Sequence, residues 1–179
     1  SYGERAMYKA EFLNRFVKEN KIGKVREPGC GDGNQLKQFR FSEYIVLDVS
    51  PTAIRKCKEI FKDDPSKKFF LYEPALRQVQ ADILENFVSD LALSLDVIYH
   101  LVEDEVFETY MKNLFSLSLK YVVIYGWDVT EPAKYHVRHR KFTKWINENI
   151  SGFQLAERIS KDGFCDFFIY EKVDLNGMI

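Results

Sequence analysis

Apolar positions along this chain alternate between two spacings, and the alternation predicts helices and strands in turn. Over residues 4–19, Met7, Ala10, Leu13, Phe16 and Val17 fall on one helical face. The short apolar run at 22–25 reads as a first strand, and 44–47 as a second. Ser50-Pro51 pairs an N-cap residue with a proline suited to the first helical position, and Ala53, Ile54, Cys57, Ile60 and Phe61 then share one face. Residues 69–72 predict a third strand. Leu76, Val79, Ile83 and Phe87 predict a helix over 75–88, and 91–95 a fourth strand. A helix at 103–115, a strand at 121–125, a helix at 142–150 and a hairpin-like pair at 153–158 and 165–170 complete the pattern. Strands alternating with helices predict an α/β fold with a mostly parallel sheet covered on both faces. No repeat, low-complexity tract or linker interrupts it, so a single domain over 1–179 is expected, with its N-terminal helix at about 4–19.

Between the first strand and a helix expected at 34–40 stands Glu27-Pro28-Gly29-Cys30-Gly31-Asp32-Gly33. Glycines at alternate positions let the backbone adopt positive φ and let a ligand approach the main chain without meeting a Cβ. A helix start behind such a turn offers free N–H groups. About twenty residues after Glu27, Asp48 ends the second strand, where a carboxylate can accept hydrogen bonds from ribose hydroxyls or cap the next helix. A nucleoside-containing cofactor is the expectation. A triphosphate-cradling loop would need Gly-Lys-Ser/Thr, and neither lysine nor hydroxyl follows Gly33. A dinucleotide loop would place its third glycine one residue later, and Glu27 and Asp32 would repel a pyrophosphate. A cofactor with a sulfonium and an ammonium group suits those charges.

On these residues the chain resembles the class I S-adenosylmethionine-dependent methyltransferases, whose first motif is an acidic residue followed by Gly-x-Gly-x-Gly. The resemblance extends through Asp48-Val49-Ser50-Pro51-Thr52-Ala53-Ile54 and Leu93-Ser94-Leu95-Asp96-Val97-Ile98-Tyr99-His100-Leu101, covering roughly 22 to 125. It implies a three-layer Rossmann-like fold: a mostly parallel seven-stranded sheet with an antiparallel terminal hairpin and helices on both faces. It also implies S-adenosylmethionine as cofactor, held by Glu27, Gly29, Cys30, Gly31, Gly33, Asp48, Val49, Ser94 and Leu95. The acidic contact to the adenine amino group falls on Glu73 by spacing from Asp48, or on Asp82 by the local likeness of 81–84. The nearest likeness is to small bacterial methyltransferases of glycan and natural-product modification. Arg26 departs from the pattern, standing where the family has an aliphatic residue, and a buried arginine needs a partner.

Composition narrows the setting. With 179 residues, 46% hydrophobic and 15% aromatic, the chain can bury a substantial core. Its 26 basic and 27 acidic side chains leave a net charge of −1, so no global field draws it to nucleic acid or membrane. Cys30, Cys57 and Cys165 are far apart and form no CxxC pair, which argues against zinc or a disulfide framework. No apolar run is long enough to span a membrane, and the N-terminus lacks a signal-peptide core, so a cytoplasmic location is expected.

The acceptor side rests on two loops. His100 and Asp96 follow the fourth strand at the sheet edge where open α/β folds bind ligands. Either can be catalytic, or His100 can satisfy a carbonyl and Asp96 can cap a turn. After the fifth strand, 126–141 carries Trp127, His136, Arg138, His139 and Arg140, which read as an anionic-substrate clamp or as a solvated basic turn. Tyr99, Trp127, Arg138, His139 and Arg140 are the candidate substrate contacts. Methyl transfer from a sulfonium is one displacement governed by alignment. A hydroxyl acceptor adds the need for a base, for which His100, His136 and Asp96 are the candidates. The expected activity is methylation of a small-molecule or glycan acceptor, at a hydroxyl of an anionic or sugar-like substrate. The alternatives are an RNA or protein methyltransferase and a non-catalytic S-adenosylmethionine-binding subunit. The Asn/Asp-Pro-Pro-aromatic motif of amino-group nucleic-acid enzymes is absent where Ser94-Leu95-Asp96-Val97 stands.

Overall fold

Central strands of a parallel sheet are covered on both faces and are therefore apolar throughout. Strand β2, Glu43–Asp48, has this character over four consecutive buried residues, whereas β1, Lys24–Pro28, includes Arg26 and Glu27 among its four. In the computed structural model, which describes residues 2–72, 88–161 and 163–174, the chain forms two compact units divided after Asp90. The first unit contains α1, Tyr2–Glu19; β1; β2; α2, Pro51–Ile60; and β3, Lys67–Leu71. β1 pairs parallel with β2, and β2 parallel with β3. Strand β4, Ser89–Leu95, leads into the second unit, with α3, Asp104–Ser116; β5, Ser118–Gly126; α4, Phe142–Asn149; β6, Phe153–Ile159; and β7, Asp166–Lys172. β7 is antiparallel to both β5 and β6. The seven strands follow the order β3-β2-β1-β4-β5-β7-β6, the mixed, mostly parallel sheet with a terminal hairpin that was expected.

The helix expected at 34–40 is only one 3-10 turn, Gln35–Gln38. Phe39 and Phe41, 3% and 4% exposed, explain why. Their rings stack at 5.0 Å and each meets Tyr44 edge-on, so the chain leaves the helical path to bury both before β2 begins. Helix α2 starts as its sequence predicts: the Ser50 hydroxyl accepts the Ala53 N–H at 3.2 Å, and Pro51 occupies the first turn. The helix expected at 75–88, with Glu73 and Asp82, lies outside the described residues.

In the second unit, α3 buries Phe107, Met111, Leu114 and Phe115, and α4 buries Phe142 and Ile146. Phe142 meets Phe168 of β7 edge-on at 4.8 Å. β6 is mostly exposed and carries Glu157 and Arg158 beside a register shift, charged features that blunt an edge strand.

Arg26 is buried to 2% exposure, and its guanidinium reaches Glu43 Oε1 at 2.8 Å and the Val25 carbonyl at 3.0 Å. The pairing requirement read from sequence is met one strand away. Removing the carboxylate leaves a buried cation short of a partner, so Glu43→Ala should lower the unfolding free energy by about 1–3 kcal/mol at neutral pH. Arg26's hydrogen bond holds the Glu43 carboxyl below its ordinary range. A depressed folded-state pKa contributes stability above the unfolded value and loses it as pH falls through the folded one. Urea unfolding of wild type and Glu43→Gln should therefore converge as the pH is lowered; a constant gap down to strongly acid pH would remove Arg26 as the cause.

Candidate functional site

The loop after β1 takes its shape from three glycines with positive φ: Gly29 at 115°, Gly31 at 54° and Gly33 at 79°. They serve different ends. A Cβ on Gly33 would stand 2.9 Å from Cys57 Sγ of α2, so this position is closed by packing. A Cβ on Gly31 would meet nothing within 4 Å, and the residue is exposed, so its bare backbone faces open space.

Asp48 fastens this loop to the end of β2. Its Oδ2 accepts the Cys30 N–H at 2.8 Å and lies 3.4 Å from the Cys30 thiol, while Oδ1 accepts the Ser50 N–H at 2.8 Å. The Gly29 N–H donates to the Leu47 carbonyl at 2.6 Å, and the Gly33 N–H closes the loop on the Cys30 carbonyl at 3.1 Å. A carboxylate has about four acceptor sites and three are taken here, so one remains on Asp48 for a further donor. Burial first, then the Asp48 carboxylate, pushes the Cys30 thiol well above its ordinary range, so Cys30 is a packing group and not a nucleophile. Asp32 is exposed, and its carboxyl is lowered chiefly by the Asn34 N–H.

Glu27 is 3% exposed at the end of β1, and the buried Tyr44 hydroxyl donates a short hydrogen bond to its Oε2. Val49, beyond Asp48, is 59% exposed and presents an apolar side chain at the strand tip. Glu27, Asp32 and Asp48 make the loop's surroundings acidic, and the single 3-10 turn behind it offers little of the dipole that a long helix would. A cationic, hydroxyl-bearing ligand matches this arrangement better than a phosphate. Tyr44 and Cys57, as supports of the loop, gave no functional signal in the sequence, because both read as core residues.

In the second unit, Ser94 is fully buried with its hydroxyl accepting from Tyr110 at 2.8 Å, and Leu95 is 8% exposed. Asp96 has φ of 59°, unusual for a side-chain-bearing residue, and its N–H donates to the Tyr125 carbonyl at 3.2 Å. The Tyr99 hydroxyl donates to Asp96 Oδ1 at 3.3 Å, and burial, then Asp96, pushes the phenol up. The exposed His100 lies with its ring 4.5 Å from that of Tyr99. His139 stands 5.5 Å from Tyr99 and edge-on to Trp127 at 4.9 Å. His136 sits apart from these rings in an exposed turn closed by Lys134 and Val137.

Arg138 and Arg140 are turned onto their own chain. Arg138 donates to the Val102 carbonyl at 3.1 Å and pairs with Asp104 at 3.0 Å. Arg140 donates to the carbonyls of Leu101, at 2.6 Å, and Val102, pairs with Asp104 at 3.1 Å, and lies over the Phe107 ring. The two guanidinium groups thus clasp the turn into α3. Asp128 does the same for α4, accepting from the Thr143 N–H at 3.0 Å and the Thr143 hydroxyl at 2.5 Å. Neither anchoring acid was singled out from sequence.

No family model and no curated protein matches the sequence. Solved structures do match. The PH0226 protein of Pyrococcus horikoshii OT3 aligns with TM-score 0.73 at 18% identity over 96% of this chain and 91% of its own. N-methyltransferase NodS of Bradyrhizobium japonicum WM9, in complex with S-adenosyl-L-homocysteine, aligns with TM-score 0.69 at 16% identity over 96% and 87%. The methyltransferase domain of bacterial CtHen1-C aligns with TM-score 0.68 at 17% identity over 94% and 98%. At such identities the likeness is one of architecture, and the chain shares the Rossmann-like fold of these structures.

Proposed function

We propose that the chain is an S-adenosylmethionine-dependent methyltransferase, one catalytic domain working in the cytoplasm on a small-molecule or glycan acceptor. One observation carries the reading. The alternate-glycine loop is tied by the Cys30 N–H to Asp48, with Gly31 bare toward open space and acidic groups around it, in a fold shared with a methyltransferase solved with S-adenosyl-L-homocysteine. Asp48 takes a ribose hydroxyl with its remaining acceptor site, Val49 lies against the adenine, and the Gly31 backbone accommodates the amino-acid portion. S-adenosylmethionine, when bound, supplies an already activated methyl group. Ser94 can contribute only through its backbone, since its side chain is enclosed. The chain's own work is then to orient the acceptor, exclude water and remove a hydroxyl proton.

Among the base candidates, His100 combines exposure with a fixed neighbour, its ring lying against Tyr99, which is itself held by Asp96. A second reading, an RNA acceptor, draws support from the likeness to the CtHen1-C domain and to small RNA methyltransferase HEN1, which aligns with TM-score 0.67 over 25% of that chain. Against it, Arg138 and Arg140 are engaged by Asp104 and backbone carbonyls. No helix among the described residues is long and apolar enough to cross a membrane.

Calorimetry should show S-adenosyl-L-homocysteine binding to the wild-type chain. Asp48→Asn should weaken it about 10–100-fold, the loss of a charge-assisted hydrogen bond. Gly31→Asn is the sharper probe, because asparagine tolerates φ near 54° yet fills the space before the loop. It should keep the wild-type thermal transition and lose the ligand. Normal affinity in a folded Gly31→Asn protein would make the loop a structural turn only.

A radiolabelled methyl-transfer screen over sugars, nucleotides and RNA supplies the acceptor for a second test. His100→Ala should lower kcat about 10²–10⁴-fold and remove the acidic limb of its pH profile, whereas His136→Ala should retain that limb. The opposite result would move the base to His136.

A further inference from the structure

A groove of about 730 Å³ opens in the second unit, lined by α3, α4 and the segment 130–141. That is the size of a small-ligand site. Its aromatic wall is Phe107 and Trp145, packed edge to face at 5.4 Å. Phe107 is buried beneath the Arg140 guanidinium, so the part-exposed Trp145 is the ring the groove offers. Four basic and four acidic side chains surround it, leaving no net formal charge. Asp104 with Arg138 and Arg140 forms a self-paired inner wall, while Glu108, Glu131, Lys141 and the exposed Lys144, 3.8 Å from Glu148, bring acceptors and donors to the rim.

This balance separates acceptor classes. Phosphate backbones are held by an excess of Lys and Arg, often with stacking aromatics, and here the acids cancel that excess. A sugar ring has the opposite requirement. Each hydroxyl both donates and accepts, so carboxylates and ammonium groups are both useful, and the ring's apolar C–H face suits one aromatic plane. We propose that this groove is a neutral-saccharide subsite, in which Trp145 stacks under a sugar ring and Glu108, Glu131, Lys141 and Lys144 bond its hydroxyls. The inference deepens the methyltransferase reading and rests on it for the groove's purpose, naming the sugar as part of the acceptor.

Saturation-transfer NMR on the full chain tests it, with cellobiose, lactose and chitobiose as probes and a single-stranded RNA oligonucleotide as competitor. At least one disaccharide should receive saturable transfer at its ring C–H protons. Trp145→Ala should reduce that transfer roughly tenfold, and Trp145→Phe, which keeps a ring and guards against a folding failure, should reduce it less. Lys144→Gln with Glu131→Gln should weaken it while leaving the thermal transition in place. No transfer from any disaccharide, transfer indifferent to Trp145, or complete displacement by RNA would overturn the subsite. Calorimetry with S-adenosyl-L-homocysteine on the same samples keeps the two ideas apart. Cofactor binding without saccharide transfer defeats the groove alone, and transfer without cofactor binding defeats the methyltransferase reading alone.

Discussion

A single carboxylate organises the first unit. Asp48 ends β2, and its two oxygens reach the Cys30 N–H in one direction and the Ser50 N–H in the other. One bond holds the glycine loop over the neighbouring strand; the other fixes the turn that lets Ser50 cap α2. Both are charge-assisted and only partly exposed, conditions in which a hydrogen bond contributes more than its usual share. Loop shape, strand end and helix start therefore depend on one side chain. In the proposed cofactor site the same side chain would both stabilise the loop and meet the ribose, with its carboxylate already held in place.

The same economy operates differently in the second unit, where charges satisfy the chain itself. Arg138 and Arg140 converge on Asp104 and on the carbonyls of Leu101 and Val102, closing the turn that precedes α3. Asp128 anchors the first turn of α4 through Thr143, where Lys141, at the cap position, makes no side-chain cap bond. These bonds fix the loops after β4 and β5 without help from any ligand. The other charges around Trp145 are mixed in sign, with Lys144 and Glu148 paired at 3.8 Å.

Much of this was legible in the chain because periodicity and turn chemistry are local. The apolar runs at 22–25 and 44–47, the Ser50-Pro51 helix start and the Gly29-Cys30-Gly31-Asp32-Gly33 turn each follow from neighbours in sequence, and they appear close to where expected, with β1 displaced along the chain to Lys24–Pro28. Arg26 advertised a missing partner, though the sequence did not name Glu43. What failed or stayed hidden was set by contacts between distant residues. The 34–40 helix gave way to the burial of Phe39 and Phe41 against Tyr44. The Tyr44 bond to Glu27 joins side chains that read as a core aromatic and a motif acid. The arginines of 138–140 looked available because Asp104 lies more than thirty residues earlier, and only folding shows that it engages them.

The contact behind Gly33 reaches past this one chain. Cys57 Sγ occupies the volume that a Cβ at position 33 would claim, so the loop and α2 share one small space, and the φ of 79° at Gly33 separately disfavours any side chain there. Substitution at either position alone overfills or empties that space. Among descendants of this sequence, glycine should therefore persist at 33 whatever stands at 57, while residue 57 can shrink only by leaving a void behind the loop.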